Sequence, residues 1–210
     1  MALLLVLVCG AAVAALLAAE RRGSRAGVSL AKPVAVAAYL GLAWISGAAG
    51  SLPGRLGLLA LALCALGDLL LIPKGAGQPF RAGVVSFGLG HLAFAACFLA
   101  RGIDLRAGAA AALLAGAAAL GVARWLAPRL PPGTGPLLRG YLAVITAMLA
   151  LAVGATARGA PPSLALGALL FAVSDLSVAL DRFEAERFAN KAWGLPLYFA
   201  GQLLLASALG

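Results

Sequence analysis

The sequence predicts an all-α polytopic membrane bundle of eight transmembrane helices, and three observations carry that prediction. Of 210 residues, 63% are hydrophobic and only 11% charged, with a mean hydropathy of +1.04, whereas soluble domains are roughly half apolar and one-quarter charged. The apolar residues fall into eight runs, each close to the ~20 residues that a helix needs to cross a bilayer core of about 30 Å. The breaks between runs are charged or rich in Pro and Gly. Eight spans use about 160 residues and leave roughly 50 for the ends and seven loops. No receptor ectodomain, nucleotide-binding domain or nucleic-acid module fits in that remainder, so 1–210 reads as a single transmembrane domain.

The first span, near 2–19, ends at the charged segment Glu20 to Arg25. It has no positive residues ahead of it and Arg21, Arg22 and Arg25 behind it, so it reads as a retained helix and not as a signal peptide. The second, near 32–50, opens on Lys32-Pro33 and stops at Ser51-Leu52-Pro53-Gly54. Spans near 56–73 and 82–100 are divided by the segment from Pro73 to Phe80, and Arg101 to Arg106 closes the fourth. The fifth and sixth, near 107–123 and 140–157, flank the stretch from Ala127 to Arg139. The last two, near 163–181 and 192–209, are set off by Arg158 to Pro162 and by Asp181 to Lys191.

A net charge of +9 in a soluble protein would suggest a polyanionic partner; here it reports topology, and no nucleic acid is implied. Lys and Arg divide 12 to 4 between alternate loops, Lys74 and Arg81 among the twelve. By the positive-inside rule the loops after spans 1, 3, 5 and 7 are cytoplasmic and both termini lie outside. The Ala, Gly, Leu and Arg bias suggests a GC-rich bacterial genome, hence a bacterial cytoplasmic (inner) membrane. Cys9, Cys64 and Cys97 sit in separate apolar runs, which indicates no disulfide framework or CxxC site.

Against this background two acids are out of place. Asp68 in span 3 and Asp175 in span 7 are flanked by apolar residues, and an acid there costs on the order of 2.5–3.5 kcal/mol on insertion scales. Such residues face a bundle interior or a wet cavity; an interhelical hydrogen-bond clasp is the structural alternative. Each lies six or seven residues before a cytoplasmic charge, Lys74 or Arg182, so both sit roughly 10 Å from the inner boundary. His91, the only histidine, joins that layer from span 4, and Tyr198 and Gln202 share one face of span 8. Lys32 reads as a snorkelling residue at the inner interface and Tyr141 as part of an interfacial aromatic belt. Asp68 to His91 and Asp175 to Tyr198 are both 23 residues apart, and each Asp follows a small residue, Gly67 or Ser174. A parallel four-plus-four internal repeat around one central cavity is the hypothesis this spacing suggests.

Residue supply narrows the chemistry. One histidine and scattered cysteines do not make the three- or four-ligand set of a zinc hydrolase, and no GxSxG elbow, P-loop or haem motif occurs. Two carboxylates in a low-dielectric site can divide the roles of proton donor and base, as in glycoside cleavage. Acid-catalysed addition of water is the reaction class they suit.

The same residues carry a family resemblance. Lys32-Pro33, Gly67-Asp68-Leu69-Leu70-Leu71, Phe87-Gly88-Leu89-Gly90-His91-Leu92-Ala93-Phe94, the run from Gly167 through Ser174-Asp175, and Tyr198-Phe199-Ala200-Gly201-Gln202-Leu203-Leu204 resemble, in order, the motifs of the YhhN, or lysoplasmalogenase, family of integral membrane proteins. Phe94 and Phe199 depart from it where a tyrosine often stands. The resemblance implies hydrolysis of the vinyl ether bond of a lysoplasmalogen to a fatty aldehyde and glycerophosphoethanolamine or glycerophosphocholine, with no metal or organic cofactor. Asp68 and Asp175 are then the catalytic pair, their individual roles open. His91, Tyr198, Gln202, Ser174 and Lys32 support them or bind substrate, and Arg81 or Lys191 are further candidates for the phosphate. The implied partners are the lysolipid substrate and membrane lipids, with no oligomeric state indicated. A proton-coupled lipid or small-molecule transporter using the same two aspartates is the alternative.

Overall fold

The computed structural model describes residues 1–73 and 77–210, in which every regular element is helical. The helices are α1 (Ala2–Arg21), α2 (Arg25–Ile45), α3 (Leu52–Leu70), α4 (Gln78–Ala100), α5 (Leu105–Leu126), α6 (Gly135–Ala157), α7 (Pro162–Phe183) and α8 (Phe188–Ser207). Seven of them, α1 to α7, are long and apolar enough to cross a membrane; the chain is a multi-pass membrane protein. α8 falls outside the seven because it carries Asn190, Lys191, Pro196, Tyr198 and Gln202 along its length.

The helix starts follow local chemistry. Ser24, Ser51 and Asp104 accept hydrogen bonds from the amides of Gly27, Gly54 and Ala107, capping α2, α3 and α5. Pro53, Pro79, Pro136 and Pro162 lie in the first turns of α3, α4, α6 and α7, where the missing amide hydrogen is no loss. This corrects two expected boundaries. Lys32-Pro33 does not open the second helix, which starts at the Ser24 cap and carries Pro33 inside it. Leu52-Pro53-Gly54 is the first turn of α3 and not a break, because a proline at a helix start is compatible with the helix.

Successive helices pair as α1/α2, α3/α4, α5/α6 and α7/α8, while α6 packs on α4 and α7, and α8 closes against α1, α2 and α3. α5 packs mainly on α6 and exposes Leu113 and Leu114 on its outer face. Small residues let the pairs approach: a Cβ on Gly201 would stand 2.9 Å from the Gly167 carbonyl oxygen, and one on Gly90 would stand 2.8 Å from Cys64 Sγ. The core is lined by Phe94, Phe98, Phe171, Phe199, Tyr39 and Met148. All three cysteines are buried free thiols, in keeping with their reading as small hydrophobes. Contacts across the start of α8 and the end of α1 (Lys191 to Glu20, 2.9 Å) and across the start of α4 and the end of α7 (the Arg182 guanidinium 4.6 Å over the Phe80 ring) bring these termini to one end of the bundle. Lys74, a reference charge in the depth argument, lies outside the described residues.

Candidate active site

α3 brings Asp68 in its last turn to that end of the bundle, and two helices meet it there. Lys32 of α2 places Nζ 3.2 Å from Asp68 Oδ1 and donates to the Asp68 backbone carbonyl, also at 3.2 Å. Tyr198 of α8 donates its hydroxyl to Asp68 Oδ2 at 2.6 Å. The three side chains are buried together. A lysine was expected to snorkel outward from this position; it turns inward instead, because a buried carboxylate offers its ammonium an ionic partner that repays desolvation.

Asp175 is the centre of a second cluster. His91 Nε2 of α4 lies 2.8 Å from Asp175 Oδ2, and the Tyr141 hydroxyl of α6 donates to the same oxygen at 3.0 Å while standing 3.3 Å from Nε2. Tyr141 thus belongs to this cluster, where an interfacial belt aromatic was expected. Its position at the start of a span matched the belt pattern, and no local signal separated the two roles. The other ring nitrogen of His91, Nδ1, faces Met148 Sδ at 3.1 Å. His91 is fully enclosed, whereas the Asp175 side chain keeps 16% of its surface open.

Aromatic rings join the clusters. Phe171 stacks on His91 at 4.2 Å between centroids and meets Tyr198 edge-on at 5.5 Å; Phe87 meets Tyr198 at 5.8 Å and Phe171 at 6.3 Å. Gln202, one turn beyond Tyr198 on the same face of α8, is fully enclosed beside the Cys64 thiol, and neither Oε1 nor Nε2 has a strong hydrogen-bond partner among the described residues. Ser174 is also buried, but its hydroxyl donates to the Phe171 carbonyl of its own helix at 2.6 Å, so it steadies α7 without reaching either carboxylate. Of the other candidate phosphate cations, Lys191 is held by Glu20 and Glu186 and Arg81 is exposed in the first turn of α4.

The pairing obeys a rule. Asp68 takes one partner from the second helix of the first four, Lys32, and one from the eighth helix, Tyr198. Asp175 takes one from the second helix of the last four, Tyr141, and one from the fourth helix, His91. Each aspartate therefore draws one partner from its own set of four helices and one from the other set. Among the described residues no group of three or more His, Cys, Asp or Glu is placed to hold a metal ion.

A model of the YhhN family matches residues 27–209. The chain belongs to the YhhN family. All the residues of both clusters fall inside the matched region. This YhhN chain is also 34% identical over 152 residues to the lysoplasmalogenase TMEM86A of Bos taurus, an alignment covering 70% of the chain and 61% of the bovine protein. The chain thus spans less than two-thirds of that relative's length. No solved structure matches it.

Proposed function

We propose that this YhhN protein hydrolyses the vinyl ether bond of lysoplasmalogens, releasing a fatty aldehyde and a glycerophosphoethanolamine or glycerophosphocholine. The observation that carries the reading is the pair of carboxylates at one end of the bundle, one tied to an ammonium and one to an imidazole. A vinyl ether is cleaved by proton delivery to the alkene carbon β to its oxygen, which makes an oxocarbenium ion that a carboxylate stabilises and water captures. A site with two carboxylates, one beside an ammonium and one beside an imidazole, can meet both needs. The 34% identity to a lysoplasmalogenase supports the same substrate class.

The lysolipid geometry fits the layer. Its headgroup would stay at the interface, its vinyl ether would lie a few bonds deeper and its alkyl chain among apolar side chains. With Lys32 spent on Asp68 and Lys191 on Glu20 and Glu186, the cation in position for the phosphate is Arg182. It stands seven residues beyond Asp175, on the same face of α7 and about 10 Å along its axis, roughly the reach from a vinyl ether to its phosphate. α8 would be the eighth span, its polar side chains turned into the bundle. The reading includes cytoplasmic loops after helices 1, 3, 5 and 7, both termini outside and a bacterial inner membrane. The crosswise pairing of the aspartates supports a four-plus-four repeat, which a superposition of helices 1–4 on 5–8 tests.

The test is incubation of the purified, lipid-reconstituted protein with lysoplasmalogen and with its saturated alkyl-ether analogue, followed by assay for free aldehyde. Aldehyde from the vinyl ether alone is expected, and its absence from both refutes the reading. The twofold character of the pairing also favours a second reading, a proton-coupled transporter with alternating access. That reading predicts proton-linked flux in sealed vesicles and no new chemical product.

A further inference from the structure

We infer that the proton donor is the His91–Asp175 couple, held in its proton-loaded form by Met148, and that Asp68 is the carboxylate that faces the developing cation. The assignment rests on the hydrolase reading above and goes beyond it by separating the roles of the two aspartates.

The argument is a count of donors and acceptors. Met148 Sδ, 3.1 Å from His91 Nδ1, has lone pairs and no hydrogen to give. A bare Nδ1 would set lone pair against lone pair in a fully buried contact, so Nδ1 carries a hydrogen. Tyr141 has one hydroxyl hydrogen and uses it on Asp175 Oδ2. That leaves a single proton on the 2.8 Å line between His91 Nε2 and Asp175 Oδ2. It sits on nitrogen, giving imidazolium and carboxylate, or on oxygen, giving neutral imidazole and carboxylic acid. Both forms hold one proton more than neutral histidine beside an aspartate anion, and that extra proton is the one the reaction consumes. Phe171 stacked on the ring fixes its plane. The Asp175 side chain, with 16% of its surface open, is the accessible end of the couple, while Asp68 is 4% open and bound by a cation that cannot accept a proton.

The steps then balance. The couple gives its proton to the alkene carbon β to the ether oxygen, the π electrons forming the C–H bond while an ether oxygen lone pair forms the C=O⁺ bond at the α carbon. Water adds to this α carbon and loses a proton to the Asp68 carboxylate. In the hemiacetal the hydroxyl proton returns to the couple, the aldehyde C=O forms, the C–O bond to glycerol breaks, and the Asp68 proton passes to the departing oxygen. One water is consumed, and both groups regain their starting states. Met148 is a positioning residue: it acts on the reaction only through the His91 tautomer.

His91 is the only histidine of the chain, so biosynthetic labelling with ¹⁵N-histidine gives the spectrum of a single imidazole in the full-length reconstituted protein. The expected spectrum has Nδ1 protonated at neutral pH. Asp175→Asn should leave Nδ1 protonated and Nε2 bare. Met148→Leu, a swap of similar volume that cores tolerate well, should move population to the Nε2–H tautomer and lower kcat by about tenfold, a fraction of what general acids typically contribute, with KM unchanged. A wild-type spectrum with bare Nδ1 and protonated Nε2 overturns the inference, as does a Met148→Leu protein whose tautomer moves while kcat stays constant. The spectrum needs no substrate, so it judges the proton assignment separately from the activity on which its role rests.

Discussion

Replacing Gln202 by leucine should make the protein more stable and less active. Gln202 is fully enclosed and neither polar atom of its amide has a strong hydrogen-bond partner among the described residues. The Cys64 thiol beside it is only a weak partner. An unsatisfied buried polar group costs roughly 1–3 kcal/mol, and leucine removes both orphaned atoms at similar volume. A gain of about 2 kcal/mol in unfolding free energy follows, equivalent to a rise of about 4–8 °C in the unfolding midpoint for a chain of this size. Under the proposed function the partner of the amide, one turn of α8 from Tyr198, is water or a polar atom of the substrate. Losing that partner should lower aldehyde release by about 10- to 100-fold, the effect of one hydrogen bond to a reacting group. Thermal unfolding in detergent and aldehyde release from lysoplasmalogen, measured on the same preparation, check both halves. A Gln202→Leu protein with a lower midpoint and wild-type turnover would refute the reasoning, since it would make the amide an ordinary packing element.

Lys32→Met should cost about 3–5 kcal/mol, because it leaves the Asp68 carboxylate buried without its cation, whereas Lys32→Met with Asp68→Leu should recover most of that loss; a double-mutant cycle on unfolding midpoints reads the coupling. Tyr141→Phe removes one of two donors to Asp175 Oδ2 and should lower kcat by about 10- to 100-fold, in line with about 1.5–3 kcal/mol for a hydrogen bond to a charged group, with little change in unfolding midpoint. Gly201→Val should destabilise the α7/α8 pair severely, because its side chain would meet the Gly167 carbonyl and the Phe171 amide at 2.9 and 3.0 Å; the same substitution at Gly10, which has open space around it, should be mild in the same unfolding assay. Arg182→Gln should raise KM for lysoplasmalogen without changing kcat, as expected for lost ground-state binding of a phosphate.

What could be read from the sequence was what is expensive in lipid. Asp68, Asp175, His91 and Gln202 stood out because each is a cost in an apolar run, and their burial follows from that cost. The helix positions were legible for a similar reason, since about 20 apolar residues are the length a bilayer demands. The boundaries drifted by a few residues because a proline ends one pattern and starts another with equal ease: Pro53 opens α3, and Pro33 sits inside α2. The partners were not legible. Spacing relates Asp68 to His91, yet His91 bonds Asp175, and Tyr198 bonds Asp68. Pairing depends on which helices touch, and a one-dimensional offset cannot tell a contact within a set of four helices from one between sets. Tyr141 was read as a belt aromatic and Lys32 as a snorkelling residue for a related reason: at a span end, an aromatic or a lysine fits an interfacial role as well as a place in a buried cluster until the opposite helix is known.

The eighth helix shows how a bundle admits a polar site at all. α8 falls short of a span by composition, yet Tyr198 and Gln202 are buried, as are its Gly194, Phe199, Gly201 and Leu205. Its polar groups therefore meet protein and not lipid, and the cost of carrying them falls on the interior, where Tyr198 donates to Asp68 and Gln202 lies beside the Cys64 thiol. α5 is the converse: it packs mainly on α6, exposes Leu113 and Leu114 on its outer face, and carries no member of either cluster. The division follows from the solvent. Helices with lipid on one side must be apolar there, so the chemistry collects on helices surrounded by other helices, and a helix too polar to qualify as a span by composition is the one to search first for the groups that react.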